Sequence, residues 1–155
     1  MANTYTQLYF HIIFGVKGRA NLISENWQEE LYKYITGIVT NKDHKLIAIG
    51  GMPDHIHLLT GMKPDANLSD LVRDVKANSS RFINQNNQQK WVIGRFEWQQ
   101  GFGAFTIGHS QLDAVCGYIK TQKEHHRTLS FRDEYVKFLK RYGIDYKSEY
   151  VFHDH

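Results

Sequence analysis

The sequence predicts an α+β protein: a split βαβ sheet in the order β-α-β-β-α-β, with two covering helices and further helices towards the C-terminal end. Three observations carry that order. Short runs rich in aromatic and β-branched residues alternate with longer segments of helical period. Turn residues punctuate most of the junctions, and no repeat, linker or composition break divides the chain. At 155 residues, 41% of them hydrophobic, the chain is long enough for one core, and residues 1–155 are expected to form a single domain.

The elements follow in order. Gln7 to Val16 (QLYFHIIFGV) reads as a strand, closed by the turn Lys17-Gly18-Arg19. Ser24 is placed to cap a helix in which Trp27, Leu31, Tyr34, Ile35 and Ile38 recur at helical spacing, running to about Thr40. Lys45 to Gly50 is a short strand, Gly51-Met52-Pro53-Asp54 a turn, and His55 to Met62 a further strand. Asn67 or Ser69 caps the next helix, whose stripe is Leu68, Leu71, Val72, Val75, Ser79, Phe82 and Ile83. Trp91 to Ile107 is strand-like. Ser110 is expected to cap a helix over Gln111–His126, and a last helix spans roughly Arg132–Tyr142, with Tyr135, Phe138, Leu139 and Tyr142 at i, i+3, i+4 and i+7. This is the ferredoxin-like arrangement, in which one sheet face is expected to be covered by two helices and the other left open for a ligand or partner.

Composition excludes several classes. No stretch approaches the ~18–20 apolar residues of a membrane span, and the N-terminus lacks the basic flank and cleavage site of a secretory signal. One cysteine, Cys116, excludes an intramolecular disulfide and fits a reducing compartment, so a cytoplasmic protein is expected. The net charge of +3 is unevenly spread. Residues 66–141 hold twelve basic and seven acidic side chains, while residues 1–65 are balanced. A basic second half can attract phosphates, or it can be an ordinary solvated surface.

The chain has nine histidines, so their spacing matters. In Pro53-Asp54-His55-Ile56-His57-Leu58-Leu59 the strand period puts His55 and His57 on one face and Ile56 and Leu58 on the other. Two imidazoles on one strand face are half of a divalent-metal site, or two unrelated polar positions. On the helix after Ser110, Leu112, Val115, Cys116 and Ile119 form the apolar stripe, and Cys116 reads as packing. Tyr118, Gln122 and His125 share the flank of that stripe, with Tyr118 and Gln122 as i, i+4 neighbours. A tyrosine there is a packing residue or a nucleophile.

Taken together, the segments MPDHIHLL (52–59), VKANSSRF (75–82), WQQGFGAFTI (98–107) and AVCGYIKTQKEHH (114–126) resemble the HUH single-tyrosine transposases, the insertion-sequence-200-like family with its repeat-associated tyrosine transposase relatives. The resemblance covers nearly the whole chain. It implies that His55 and His57 are metal ligands, that Gln122 is the third protein ligand, and that Tyr118 is the nucleophile. The implied ion is magnesium or manganese, and this ligand set would leave its charge undiminished. The implied reaction is cleavage and rejoining of single-stranded DNA at element ends through a 5′-phosphotyrosine bond, with recognition of DNA hairpins. The implied partner is a second copy, a homodimer in which the tyrosine helix can be donated across subunits.

Further residues invite roles. Lys17 and Arg19 follow the first strand, Arg73, Lys76 and Arg81 punctuate one helix, and Lys120, Lys123 and Arg127 another; some are expected to contact DNA backbone. His125 could assist near the phosphate. Trp91, Phe96, Trp98, Phe102 and Phe105 are expected mainly in the sheet core, with one or two stacking on bases. His153-Asp154-His155 reads as a frayed tail. Position 59 is Leu, so a His-x-His-x-His hydrolase signature is absent, as is the His-Glu-x-x-His of zinc proteases. The alternative outside enzymes is a domesticated hairpin-DNA-binding protein of the same fold.

Overall fold

The computed structural model describes residues 3–86, 91–125, 129–147 and 151. Its elements are β1 (Tyr9–Gly15), α1 (Gln28–Asn41), β2 (Lys45–Met52), β3 (His55–Gly61), α2 (Leu68–Gln85), β4 (Gly103–Ile107), α3 (Leu112–Lys120), α4 (Gln122–His125) and α5 (Phe131–Arg141). The four strands form one antiparallel sheet in the order β2-β3-β1-β4. β1 lies against β3 from Tyr9↔Gly61 to Gly15↔His55, and against β4 from Tyr9↔Ile107 to Ile13↔Gly103. The crossovers through α1 and α2 each skip one strand, which is the split βαβ topology expected. β2 and β3 close around Pro53-Asp54, with Met52 opposite His55.

Strand alternation sorts the side chains. Ile12, Phe14, Val16, Ile56 and Leu58 meet Leu31, Ile35, Val39, Leu71, Val75 and Ile83 of α1 and α2 in the main core. The opposite face is not open, contrary to expectation. Ala48, Leu59 and Ile107 lie under Ile119 of α3, and Ile13 and Phe105 lie under Phe131 and Leu139 of α5. The physical reason is that this face is itself partly apolar, and the amphipathic C-terminal helices bury their stripes on it.

Local chemistry sets the boundaries. The carbonyl of Ser24 accepts from the N–H groups of Trp27 and Gln28, so a turn precedes α1. Asn67 caps α2, accepting from the Asp70 N–H at 3.1 Å, and Ser130 caps α5, accepting from Asp133 at the same distance. Ser110 does not cap. It sits inside a 3-10 turn over His109–Gln111, and Gln111 Oε1 accepts the Gly108 N–H at 2.9 Å. The single helix expected over Gln111–His126 breaks at Thr121, whose hydroxyl bonds back to the Gly117 carbonyl at 2.8 Å. Only Gly103–Ile107 of the strand-like stretch is strand. Upstream, side chains of α2 take the backbone groups a ladder would use: Asn84 bonds both the N–H and the carbonyl of Phe96, and Lys76 donates to the carbonyls of Gln99 and Gly101.

Candidate active site

His55 and His57 project from β3 toward the face covered by α3, α4 and α5, and both are fully buried. Each is anchored through Nδ1. Asp54 Oδ1 lies 2.6 Å from His55 Nδ1, and His11 Nε2, on β1 diagonal to His57 and paired in register with Leu59, lies 2.8 Å from His57 Nδ1. Burial first, then the neighbouring His57, pushes the His11 imidazole down to about 3, so it is neutral at ordinary pH. These bonds turn both Nε2 atoms toward the same point, as outer partners of ligating histidines commonly do.

Three elements converge on that point. His55 Nε2 is 3.0 Å from Gln122 Oε1 and 3.3 Å from Glu134 Oε1, and His57 Nε2 is 3.0 Å from the same Glu134 oxygen. Glu134 Oε2 accepts the Tyr118 hydroxyl and is 3.3 Å from Gln122 Nε2. Burial opposes charge on His55, but the carboxylates of Asp54 and Glu134 outweigh it and raise its pKa. Burial and then Glu134 hold the Tyr118 phenol above its ordinary range.

Two glycines permit this closeness. A Cβ at Gly15, opposite His55, would stand 2.5 Å from the ring of Phe131, which stacks on the His55 imidazole at 4.0 Å. A Cβ at Gly50 on β2 would collide with the Ile119 carbonyl, so α3 could not bring Tyr118 down to the sheet.

The four residues named from sequence, His55, His57, Tyr118 and Gln122, therefore meet within one chain. Two others were missed. His11 hides in an apolar strand on the face opposite Ile12 and Phe14. Glu134 is 1% exposed and lies on the apolar stripe of α5 between Phe131 and Phe138. A carboxylate on such a stripe is itself a signal, because glutamate is rarely buried without a partner. Among the described residues, His55, His57 and Glu134 present ligand atoms within 4.8 Å of one another. The donor set of imidazole nitrogen with carboxylate and amide oxygen fits a divalent ion. It is not the neutral set first expected, since Glu134 brings a negative charge.

The basic residues do not gather in one place. Lys17, Arg73 and Lys76 line a cleft of about 540 Å³ with Arg95 and Gln99. Lys17 is paired with Glu97 at 3.0 Å, and Arg73 with Asp70 and Asp74 at 3.2 and 3.1 Å. Lys76 is tied to the Gln99 and Gly101 carbonyls, and burial lowers its ammonium to about 8. Lys123 is paired with Glu25, while Arg19, Arg81 and Lys120 are exposed elsewhere. Arg127, the side chain of His125 and the His153-Asp154-His155 tail lie outside the described residues. Phe96, Trp98 and Phe105 are buried, and Trp91 stacks on Trp27 at 5.1 Å.

The family model "Transposase IS200 like" matches residues 4–122, from before β1 to Gln122. The chain belongs to the IS200-like transposase family. It is 25% identical over 120 residues to the ISDra2 transposase TnpA of Deinococcus radiodurans, covering 76% of this chain and 86% of that protein. A candidate transposase from Deinococcus radiodurans R1 shares the fold with a TM-score of 0.60 at 24% identity, over 77% of this chain and 93% of the other. A REP-associated tyrosine transposase bound to a REP hairpin shares it with a TM-score of 0.57 at 15% identity, over 77% of this chain and 68% of the other. That family is one of transposases, a class of DNA-cleaving enzymes. Among the described residues, no helix is long and apolar enough to cross a membrane. Glu134 and all of α5 lie beyond the matched span.

Proposed function

We propose that the chain is a metal-dependent, single-strand DNA transposase of the cytoplasm, one catalytic domain that cleaves and rejoins element ends and recognises their hairpins. The observation that supports this reading is the meeting of a tyrosine hydroxyl, two histidine Nε2 atoms and a carboxylate in one buried cluster. Magnesium or manganese, held by His55 and His57 with Glu134 and Gln122, would polarise the scissile phosphate.

The chain's own residues do the rest. Tyr118 Oη attacks phosphorus, forming a phosphotyrosine bond as the bond to the 3′-oxygen breaks. The 5′-phosphate stays on the protein, and the leaving oxygen takes up a proton to become a free 3′-hydroxyl. The Tyr118 proton has an acceptor close by, because Glu134 Oε2 already accepts its hydrogen bond. Because the covalent bond is a phosphodiester, a second 3′-hydroxyl can reverse the step and join new ends. Asp54 and His11 orient the two imidazoles. Lys17, Arg73 and Lys76 form a basic cleft for DNA backbone, with Arg19, Arg81, Lys120, Lys123 and Arg127 as further contacts.

The hairpin-bound relative supports hairpin DNA as the ligand here. The homodimer implied by the family resemblance belongs to this proposal too.

The test uses labelled single strands spanning both ends of the DNA that flanks the gene, with magnesium or manganese, resolved on denaturing gels. The parent is expected to form a covalent protein–DNA band. Tyr118→Phe and the His55→Ala/His57→Ala pair are expected to form none. A band that survives in Tyr118→Phe overturns the nucleophile. Hairpin binding with no band from the parent overturns the enzymatic reading in favour of a hairpin-binding protein.

A further inference from the structure

α5 carries more than Glu134. Glu134, Lys137, Phe138 and Arg141 recur at i, i+3, i+4 and i+7, so one helix face holds all four. They line a cleft of about 430 Å³ shared with Tyr118 and Glu124. At its inner end the Tyr118 hydroxyl meets Glu134. Phe138 forms an apolar wall, edge-on to the Tyr118 ring at 5.8 Å. Lys137 and Arg141 are exposed. Given a rise of about 1.5 Å per residue, Lys137 lies about 4.5 Å and Arg141 about 10.5 Å along the helix from Glu134.

Charge gives this cleft a specific use. A phosphate reaching Tyr118 must pass the carboxylates of Glu124 and Glu134, which repel it. Two cations on the same cleft offset that repulsion. They also differ from Lys17, Arg73 and Lys123, whose charges are engaged by carboxylates. Among the described residues, neither Lys137 nor Arg141 has a carboxylate partner; the Arg141 guanidinium lies 5.9 Å from the centre of the Tyr142 ring. Their separation along the helix suits successive phosphates of an extended strand.

We infer that Lys137 and Arg141 hold backbone phosphates of the scissile single strand and feed it to Tyr118, so that α5 is a strand-positioning helix. The inference rests on the transposase reading and deepens it. It assigns binding of the cleaved strand to a segment beyond the family-matched residues, separate from the basic cleft beside α2.

The test measures binding of homopolymeric dT single strands across a salt series, in a Tyr118→Phe background so that no cleavage intervenes. Each phosphate contact removed should flatten the plot of log affinity against log salt by about 0.7. Lys137→Gln/Arg141→Gln is therefore expected to lose about 1.4 of slope. Lys33→Gln, on α1 across the sheet, should lose none, and Lys137→Arg with Arg141 intact should keep the parental slope. Melting temperatures measured alongside should be unchanged, because both side chains are exposed. With Tyr118 present, the double variant should need more strand for half-maximal adduct yet reach the parental maximum.

An unchanged salt slope in the double variant overturns the inference, whether or not the parent forms adducts. Equal loss in Lys33→Gln also overturns it, since a non-specific charge effect would then suffice. A parent that forms no adduct while the slope still falls by the expected amount strikes the transposase reading alone.

Discussion

The two faces of the sheet are built from the same strands and do opposite things. On β1 and β3, Ile12, Phe14, Ile56 and Leu58 point toward α1 and α2 into one continuous apolar core. The alternate residues His11, Ile13, His55 and His57 point toward α3, α4 and α5, where two small apolar clusters flank a buried polar network. Burying histidines and a glutamate costs desolvation energy that their mutual bonds only partly return. A dry face directly behind them can carry that cost, because apolar burial there is nearly uninterrupted. The comparison teaches a division of labour at a spacing of one residue: stability on one side, chemistry on the other.

Three measurements break or sharpen that division. The largest effect is expected from Ile56→Ala, between the two histidines in sequence but on the dry face. It should cost about 2–5 kcal/mol in urea unfolding, while the adduct formed per folded molecule stays at the parental level. A cost below about 1 kcal/mol would mean the α1–α2 face does not carry the fold. Next comes the metal. Manganese at a hundredfold excess over its dissociation constant should stabilise the native state by about 2.7 kcal/mol, seen as a rise in melting temperature that a chelator reverses. His57→Ala should abolish the rise, and a rise that persists would move the ion elsewhere. The smallest effect is expected from Glu134→Gln without metal at pH 8. Glutamine keeps the side chain's size and an oxygen that can accept from Tyr118, and Asp54 stays beside His55, so stability should change by no more than about 1 kcal/mol. A loss of several kcal/mol would show that the polar network also holds the fold together.

Part of this was legible in the residues. Alternation put His55 and His57 on one face, and the structure has them there. The cap at Asn67 and the periodicity of α5 were read to within a residue or two, because caps and stripes are set by neighbours in sequence. The i, i+4 pairing of Tyr118 with Gln122 survives the break at Thr121, which a back-bonding threonine introduced without a clear pattern in the sequence. The stretch over 91–102 is strand-like only at Trp98, which bridges Val16; other backbone groups are taken by side chains of α2, among them Asn84, twelve residues before Phe96.

The sequence by itself determined the strand and helix order, the faces of the strands, the histidine pair and the tyrosine helix. All of these follow from periods of two and 3.6 residues and from turn chemistry, which act over a few positions. Only the tertiary structure decided that the second sheet face is covered, that His11 props His57 from 46 residues away, and that Glu134 reaches His57 across 77. Those outcomes depend on which apolar surfaces find each other and on the need of a buried carboxylate for partners. No local pattern encodes either one, because the energy that selects them exists only once distant segments touch.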